Sequence, residues 1–352
     1  MGATFALDED RLEGLRLLVE SAAGITSRDG DLKKVRALRF TRPGIDRARW
    51  AEIAAMGWLG LRLPEEAGGI GLGMAEYAAL AVEVGAALLP EPLIEAELAL
   101  DLMGQNAPAE AIAGDLLVLP AWQDGPEGLT VAGGITEAGG RISAKRAFVP
   151  MAEAADAFLI VGPDACFLVD GKAPSLKITS EDTLDGGHTG TLTLDNVEAK
   201  RLPAPDLKAF EAAALATTAA LLGIMERAFA ITLDYLKTRV QFGQPIGNFQ
   251  ALQHRAVDLE IEIGLTRAAL RDAVAALDAE EDCRRIVSRA KARAADAAML
   301  VTRQAVQLHG AIGYTDEADI GLFLRRAMIL APRYGNAAFH RKRYGCLTEG
   351  RP

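Results

Sequence analysis

Apolar positions recur at mixed spacings of three and four over Trp50–Trp58, Ala75–Leu88 and Leu93–Leu102, the period of helices that bury one face. The pattern then changes. Phe158-Leu159-Ile160-Val161, a Gly162-Pro163-Asp164 turn and Cys166-Phe167-Leu168-Val169 predict a hairpin. Thr189 to Asp195 alternates Thr and Leu, the period of a half-buried strand. Gly134, Gly139 and Gly140 punctuate further short strands. Helical spacing returns with one long run over Phe210–Lys237. Asn248 is expected to cap the next helix, which continues to Leu277 with Phe249, Leu252, Ala256, Leu259 and Ile263 on one stripe. A third helix is predicted over Glu281–Leu308, with Ile286, Ala290, Ala294, Ala297 and Val301 on one face. Helices of this length reach about 40 Å, and alanine-rich faces let them approach closely. The pattern therefore predicts a mainly α protein with a small β domain of barrel or sandwich type. It falls into three blocks: a helical domain over residues 1–112, a β domain over 113–205 and a helical bundle over 206–352.

Composition narrows the partners. The 352 residues suffice for two or three domains or layers. A net charge of −10, from 38 basic against 48 acidic side chains, argues against a nucleic-acid partner. Arg341-Lys342-Arg343 is a short basic cluster and reads as a solvated helix face. Cys166, Cys283 and Cys346 are far apart, and the histidines lack metal-ligand spacing, so no disulfide framework and no metal site are expected. The start of the chain lacks a basic-then-apolar signal pattern, and no uninterrupted apolar run reaches bilayer length. These readings predict a cytoplasmic protein in a reducing compartment, with no membrane partner.

The densest chemistry lies between two predicted helices, at Arg239-Val240-Gln241-Phe242-Gly243-Gln244-Pro245-Ile246-Gly247-Asn248-Phe249-Gln250. Arg239 can offer a guanidinium to a phosphate and Phe242 a plate to a planar ring. Gly243 and Gly247 would let backbone approach a ligand. On residue types alone the tract reads equally as a helix–helix loop in which Arg239 pairs with a carboxylate. A second tract, Gln307-Leu308-His309-Gly310-Ala311-Ile312-Gly313-Tyr314, ends the third long helix and by itself reads as a C-cap. Leu61–Gly73 is glycine-rich but lacks a following Lys-Ser or Lys-Thr, so it is not a P-loop.

Taken together, in this order and separation, the two tracts resemble elements of the acyl-CoA dehydrogenase family. The resemblance extends through Leu324-Arg325-Arg326-Ala327 and back to Leu63-Pro64-Glu65-Glu66-x-Gly68-Gly69-x-Gly71-Leu72-Gly73. It implies an N-terminal helical domain, a β-barrel middle domain and a C-terminal four-helix bundle. It also implies FAD as cofactor, an acyl-CoA as substrate and an electron-transfer flavoprotein as electron acceptor. The family removes a proton from the carbon next to a CoA thioester and passes a hydride from the next carbon to the flavin. By resemblance Arg239, Phe242, Gly243 and Gln250 fall in the flavin-binding tract. Gln307, Gly310 and Gly313 fall on a segment that reaches a neighbouring subunit's flavin, with Ala311 where a glycine is more usual. That segment implies an oligomer, a dimer or tetramer. His254 reads as a helix-face residue.

The catalytic half of the pattern departs. The family's usual base, a Glu shortly after the Leu-Arg-x-Ala segment, is met here by Arg333-Tyr334-Gly335-Asn336, with Tyr334 in the carboxylate's place. A phenol with a reference pKa near about 10 is a poor base at neutral pH. The alternative base position, on the helix before Arg239, is met by Ala213, with Ala214 where an Arg is usual. Glu211 is two residues away and faces nearly opposite on a helix. The flavin-ring stretch is replaced around Pro120-Ala121-Trp122-Gln123-Asp124-Gly125-Pro126, and a usual Trp-Ile-Thr or Trp-Ile-Ser by Phe148-Val149-Pro150. No catalytic residue is assigned. The chain resembles the short, base-lacking subunits that pair with a catalytic sister in heteromeric acyl-CoA dehydrogenases for bulky thioesters such as steroid side chains. Two alternatives stand beside this: a self-sufficient homo-oligomer using Tyr334, Glu211 or Asp206, and a flavin-free scaffold or regulatory protein on the same fold.

Overall fold

The computed structural model describes residues 9–26, 32–126 and 128–350. The first residues of the chain, on which the signal-pattern reading rests in part, lie outside them. Helices open the chain: α1 (Glu9–Ala22), α2 (Lys33–Leu38), α3 (Arg47–Ala55), α4 (Met74–Ala86), α5 (Leu93–Met103) and α6 (Ala109–Ile112). Strands follow: β1 (Val118–Ala121), β2 (Thr136–Ala138), β3 (Arg141–Pro150), β4 (Ala157–Val161), β5 (Cys166–Asp170), β6 (Leu176–Asp182), β7 (His188–Glu198) and β8 (Lys200–Leu202). The rest comprises α7 (Lys208–Thr238), the two-residue strands β9 (Val240–Gln241) and β10 (Gln244–Pro245), then α8 (Gln250–Asp278), α9 (Arg284–His309), α10 (Ile320–Leu330) and α11 (Ala337–Thr348).

The three blocks remain a description of chain order. By contact the described chain divides into two compact units, each assembled from separated segments. One comprises 1–32, 74–89 and 214–352, the other 33–73 and 90–213.

The second unit holds the sheets, of strand order β1-β4-β5-β8 and β2-β3-β7-β6. The small β region is thus built of two four-stranded sheets. The anticipated hairpin is β4–β5, with Phe158 opposite Val169 and Val161 opposite Cys166. Along β7 Leu192 and Leu194 are buried while the threonines face outward, as the alternation requires. Gly139 and Gly140, both with positive φ, make the β2–β3 turn. The Leu61–Gly73 loop turns its amides inward. Gly68, Gly69, Ile70, Gly71 and Leu72 donate to carbonyls of residues 60–65, leaving no amide row for an anion. Glu97 pins the loop by accepting from the Gly60 amide at 2.6 Å. Burial, with Asp101 nearby, pushes its carboxyl up to about 8.

The first unit is helical. α8, α10 and α11 each pack on α9. Ala290, Ala294, Ala297 and Val301 of α9 are buried as the stripe predicts, and Ile286 is half-buried. On α8, Leu259 and Ile263 are buried, but Phe249, Leu252 and Ala256 are only half-buried. The Asn248 cap is corrected. Phe249 occupies the N-cap without a side-chain bond, and Asn248 lies in a 3₁₀ turn over Ile246–Asn248. By length and composition α7 could cross a bilayer, which the apolar-run reading passed over, yet its apolar window is 78% buried within the fold. Of the basic cluster, Arg341 pairs with Asp296 and Arg343 reaches Ser288 Oγ.

α4 and α7 touch backbone to backbone. A Cβ on Gly223 would lie 1.9 Å from the Val82 carbonyl oxygen, and one on Gly85 would lie 2.0 Å from that of Ala220. Both distances are below any real contact, so a methyl at either position must push the helices apart. Gly223→Ala is therefore expected to cost about 1–3 kcal/mol or more, read as a lowered midpoint in urea unfolding. A midpoint equal to the wild type's would contradict this crossing.

Candidate functional site

The 239–250 tract folds as a tight hairpin. β9 and β10 pair Gln241 with Gln244 and Val240 with Pro245. Phe242 and Gly243 form the two-residue turn with φ +55° and +80°, so the chain needs a residue tolerant of positive φ there and supplies glycine. Arg239 sits just past α7, where its amide donates to Tyr235 and its carbonyl accepts from Ile246. This places Arg239 one turn beyond Tyr235.

A cleft of about 430 Å³ opens beside this hairpin, entirely within the helical unit. Tyr235, Arg239, Gln241 and Ile246 line it from α7 and the hairpin, and Leu252 and Arg255 from the first turns of α8. Gln307 to Ile312 close it from the end of α9. The two sequence tracts therefore converge on one cleft within the helical unit.

Of the anticipated site residues, Arg239, Gln307 and Gly310 line the cleft; Phe242, Gly243, Gln250 and Gly313 do not. Phe242 stands 91% exposed at the hairpin tip, with only an edge contact to Phe249. Gly247 was expected to open backbone to a ligand. Instead it is packed on α7, where a Cβ would lie 2.9 Å from the Leu236 carbonyl oxygen. Gly313 is buried for the same reason, 2.6 Å from the Val306 carbonyl oxygen by that measure. Gly310, with φ +68° and open space around it, is required by its backbone angle. His254 is exposed on α8 and outside the cleft.

The planar wall is a pair the sequence reading did not single out. The rings of Tyr235 and His309 stack at 4.5 Å with an interplanar angle of 22°. His309 Nδ1 donates to the Ala305 carbonyl at 2.7 Å, which leaves Nε2 as an acceptor. Burial lowers its pKa, so the ring is neutral near pH 7. Arg255 was also missed. The helical spacing of Leu252 and Arg255, three apart, and of Tyr235 and Arg239, four apart, was the available signal.

The electrostatics are one-sided. No acidic side chain lines the cleft. Arg239 pairs with no carboxylate among the described residues. The N-terminus of α8 adds its positive end, while the C-terminus of α9 presents carbonyls. Two guanidiniums, side-chain amides, a stacked pair and the apolar Ile246, Leu252 and Ile312 fit a phosphate-bearing nucleotide with a flat base.

The expected base positions are closed off. Tyr334 is 4% exposed. His340, 0% exposed, donates through Nε2 to the Tyr334 carbonyl at 2.8 Å. Lys291, also 0% exposed, donates to the carbonyls of Ala331 and Gly335 at 2.8 and 3.0 Å. The 331–335 segment is thus held through its carbonyls by the Lys291 and His340 side chains. Burial, with Arg333 nearby, lowers Lys291 to about 7, and burial lowers His340 to about 4. Glu211 is buried in the first turn of α7, Ala213 and Ala214 are buried beside it, and Asp206 accepts from the Lys208 amide. In the flavin-ring stretch Trp122 packs edge-on against Phe210 at 4.8 Å. Phe148 points outward with φ +58°.

Two family models match: the acyl-CoA dehydrogenase N-terminal domain over residues 19–108 and the C-terminal domain over 206–345. The chain belongs to the acyl-CoA dehydrogenase family. Acyl-CoA dehydrogenase IpdE2 of Mycolicibacterium smegmatis is 32% identical over 327 residues, covering 90% of this chain and 92% of that protein. Among solved structures, the Tcur3481-Tcur3483 steroid ACAD variant has 31% identity and a TM-score of 0.86, covering 96% of this chain and 98% of the other. The ChsE4-ChsE5 complex from Mycobacterium tuberculosis has 26% identity and a TM-score of 0.83, covering all of both chains. The chain is an oxidoreductase-family member with the acyl-CoA dehydrogenase fold.

The buried lysine yields a pH prediction. Between about pH 7 and the ordinary lysine value of about 10.5, the native chain has released the Lys291 proton while the unfolded chain holds it. Stability therefore rises with pH across that window. Lys291→Met is expected to flatten the rise, measured as urea midpoints at pH 7, 8 and 9. An unchanged slope in the variant would contradict the assignment.

Proposed function

We propose that this chain is the flavin-gripping, non-base-carrying subunit of a heteromeric acyl-CoA dehydrogenase. The observation that carries the reading is the split in its chemistry: the chain has a cleft with two guanidiniums that pair with no carboxylate among the described residues, and where the family's base is expected it has the buried Tyr334, whose carbonyl is held by His340. FAD is the cofactor, and when bound it supplies the hydride acceptor for α,β-dehydrogenation. Arg239 and Gln307 hold its nucleotide half, with Gly310 keeping the backbone clear. Phe242, Gly243, Gln250 and Gly313 serve that site indirectly, by shaping the hairpin, the α8 entry and the α9 exit. Phe242 at 91% and Tyr314 at 88% exposure stand ready to be covered by another chain. Val257, Ile261 and Leu265 form an exposed apolar row on α8, at 58%, 52% and 49%. The partner is a second acyl-CoA dehydrogenase chain, which brings the base. The substrate is an acyl-CoA, with a steroid-derived thioester favoured by the relatives, and electrons leave to an electron-transfer flavoprotein. The cytoplasm is the compartment this chemistry calls for.

A self-sufficient homo-oligomer is the second reading. It would have to draw a base from Tyr334, Glu211 or Asp206. Of these, Tyr334 and Glu211 are buried and Asp206 caps a helix start.

Made alone, the chain is expected to retain little flavin and to turn over no acyl-CoA. Co-expression with a sister dehydrogenase chain is expected to restore both flavin absorbance and turnover. Full turnover by the purified single chain, abolished by substitution at one of those three positions, would establish the second reading instead.

A further inference from the structure

We propose that Arg255 is a second phosphate-gripping residue of the cleft, clamping the diphosphate of an adenine dinucleotide together with Arg239. This rests on the flavin reading above and adds a residue and a mode of grip to it.

Arg255 lies on α8 and is exposed. Its guanidinium makes no hydrogen bond or ion pair among the described residues, so internal packing does not explain its place. An exposed arginine on a helix is ordinarily a solvated one. What distinguishes Arg255 is that it lines the same cleft as Arg239, whose guanidinium is likewise without a partner among the described residues. The chain as a whole carries a net charge of −10, yet no carboxylate lines this cleft. Like charges facing one concave surface repel until an anion lies between them. Two planar forks suit a ligand with two adjacent anionic groups better than one with a single carboxylate. The α8 N-terminus, about one and a half turns from Arg255, adds its positive end to the same side. The stacked Tyr235–His309 pair and Leu252 supply a flat wall for an adenine, with His309 Nε2 as an acceptor at its edge. The chemistry recognised is therefore an adenosine diphosphate moiety, the nucleotide half of FAD.

The test uses the full chain and ADP as probe, by calorimetric titration. Wild type is expected to bind ADP, and adenosine far more weakly. Arg255→Gln and Arg239→Gln should each weaken ADP about tenfold or more, the size of one lost charge-assisted bond, with adenosine binding unchanged by Arg255→Gln. Arg255→Lys, which keeps the charge and loses the fork, should fall between. An unchanged melting temperature in Arg255→Gln shows that any loss is not unfolding. If Arg255→Gln binds ADP like wild type while Arg239→Gln does not, the second clamp is wrong and the flavin reading stands. If wild type binds no ADP, the clamp is wrong; if the co-expressed two-chain assembly also holds no FAD, the flavin reading falls with it.

Discussion

The backbone contact between α4 and α7 is the constraint on which the site depends. Gly85 and Gly223 let two carbonyl-bearing helix faces meet with no side chain between them. That fixes α7 within its unit, and α7 carries Tyr235 and delivers Arg239 at its end. From Gly223 to Arg239 is roughly 24 Å of helix, at about 1.5 Å per residue. A small change of tilt at the crossing would thus be magnified at the cleft. The same device recurs on a smaller scale. Gly247 seats the hairpin exit on α7, and Gly313 seats the turn after α9 on that helix's own last carbonyls. Both glycines pack closely on protein backbone.

What the crossing positions is a cleft whose charge opposes that of the molecule. Cationic side chains come from the end of α7 and the start of α8, and amides from the hairpin and the end of α9. The carbonyl end of α9 is an unfavourable neighbour for a phosphate and a favourable one for an amine or hydroxyl. The cleft is therefore polar in a directed sense, with one side built for anionic groups and the other for donors. His309, neutral by burial and with Nε2 free to accept, belongs to the second side.

Much of this was legible in the chain. Helical period located α4, α5, α7, α8 and α9, and strand period located β4, β5 and β7, because each buries one face. The family resemblance located both tracts of the cleft. Other features were not legible, for physical reasons. Phe242 reads as a plate, but the sequence does not show that a two-residue turn holds it at positive φ and exposed at the hairpin tip. Asn248 promised a cap, but a 3₁₀ turn moved the helix start past it. Tyr235 and Arg255 carry no motif, and only folding brings α7, α8 and α9 to one place. The two-unit division was hidden because segments 74–89 and 1–32 join residues more than 120 positions later in sequence.

The loss on the catalytic side is as structured as the gain on the nucleotide side. Lys291 and His340 satisfy the carbonyls of residues 331, 334 and 335 from within, so the segment that would bear a base serves the fold. A chain so divided can hold a flavin's nucleotide while another polypeptide works at its ring. The most direct test is the flavin-to-protein ratio of the two-chain assembly carrying Arg239→Gln in this chain. The account predicts an intact assembly stripped of flavin. An assembly that keeps its full flavin would contradict it.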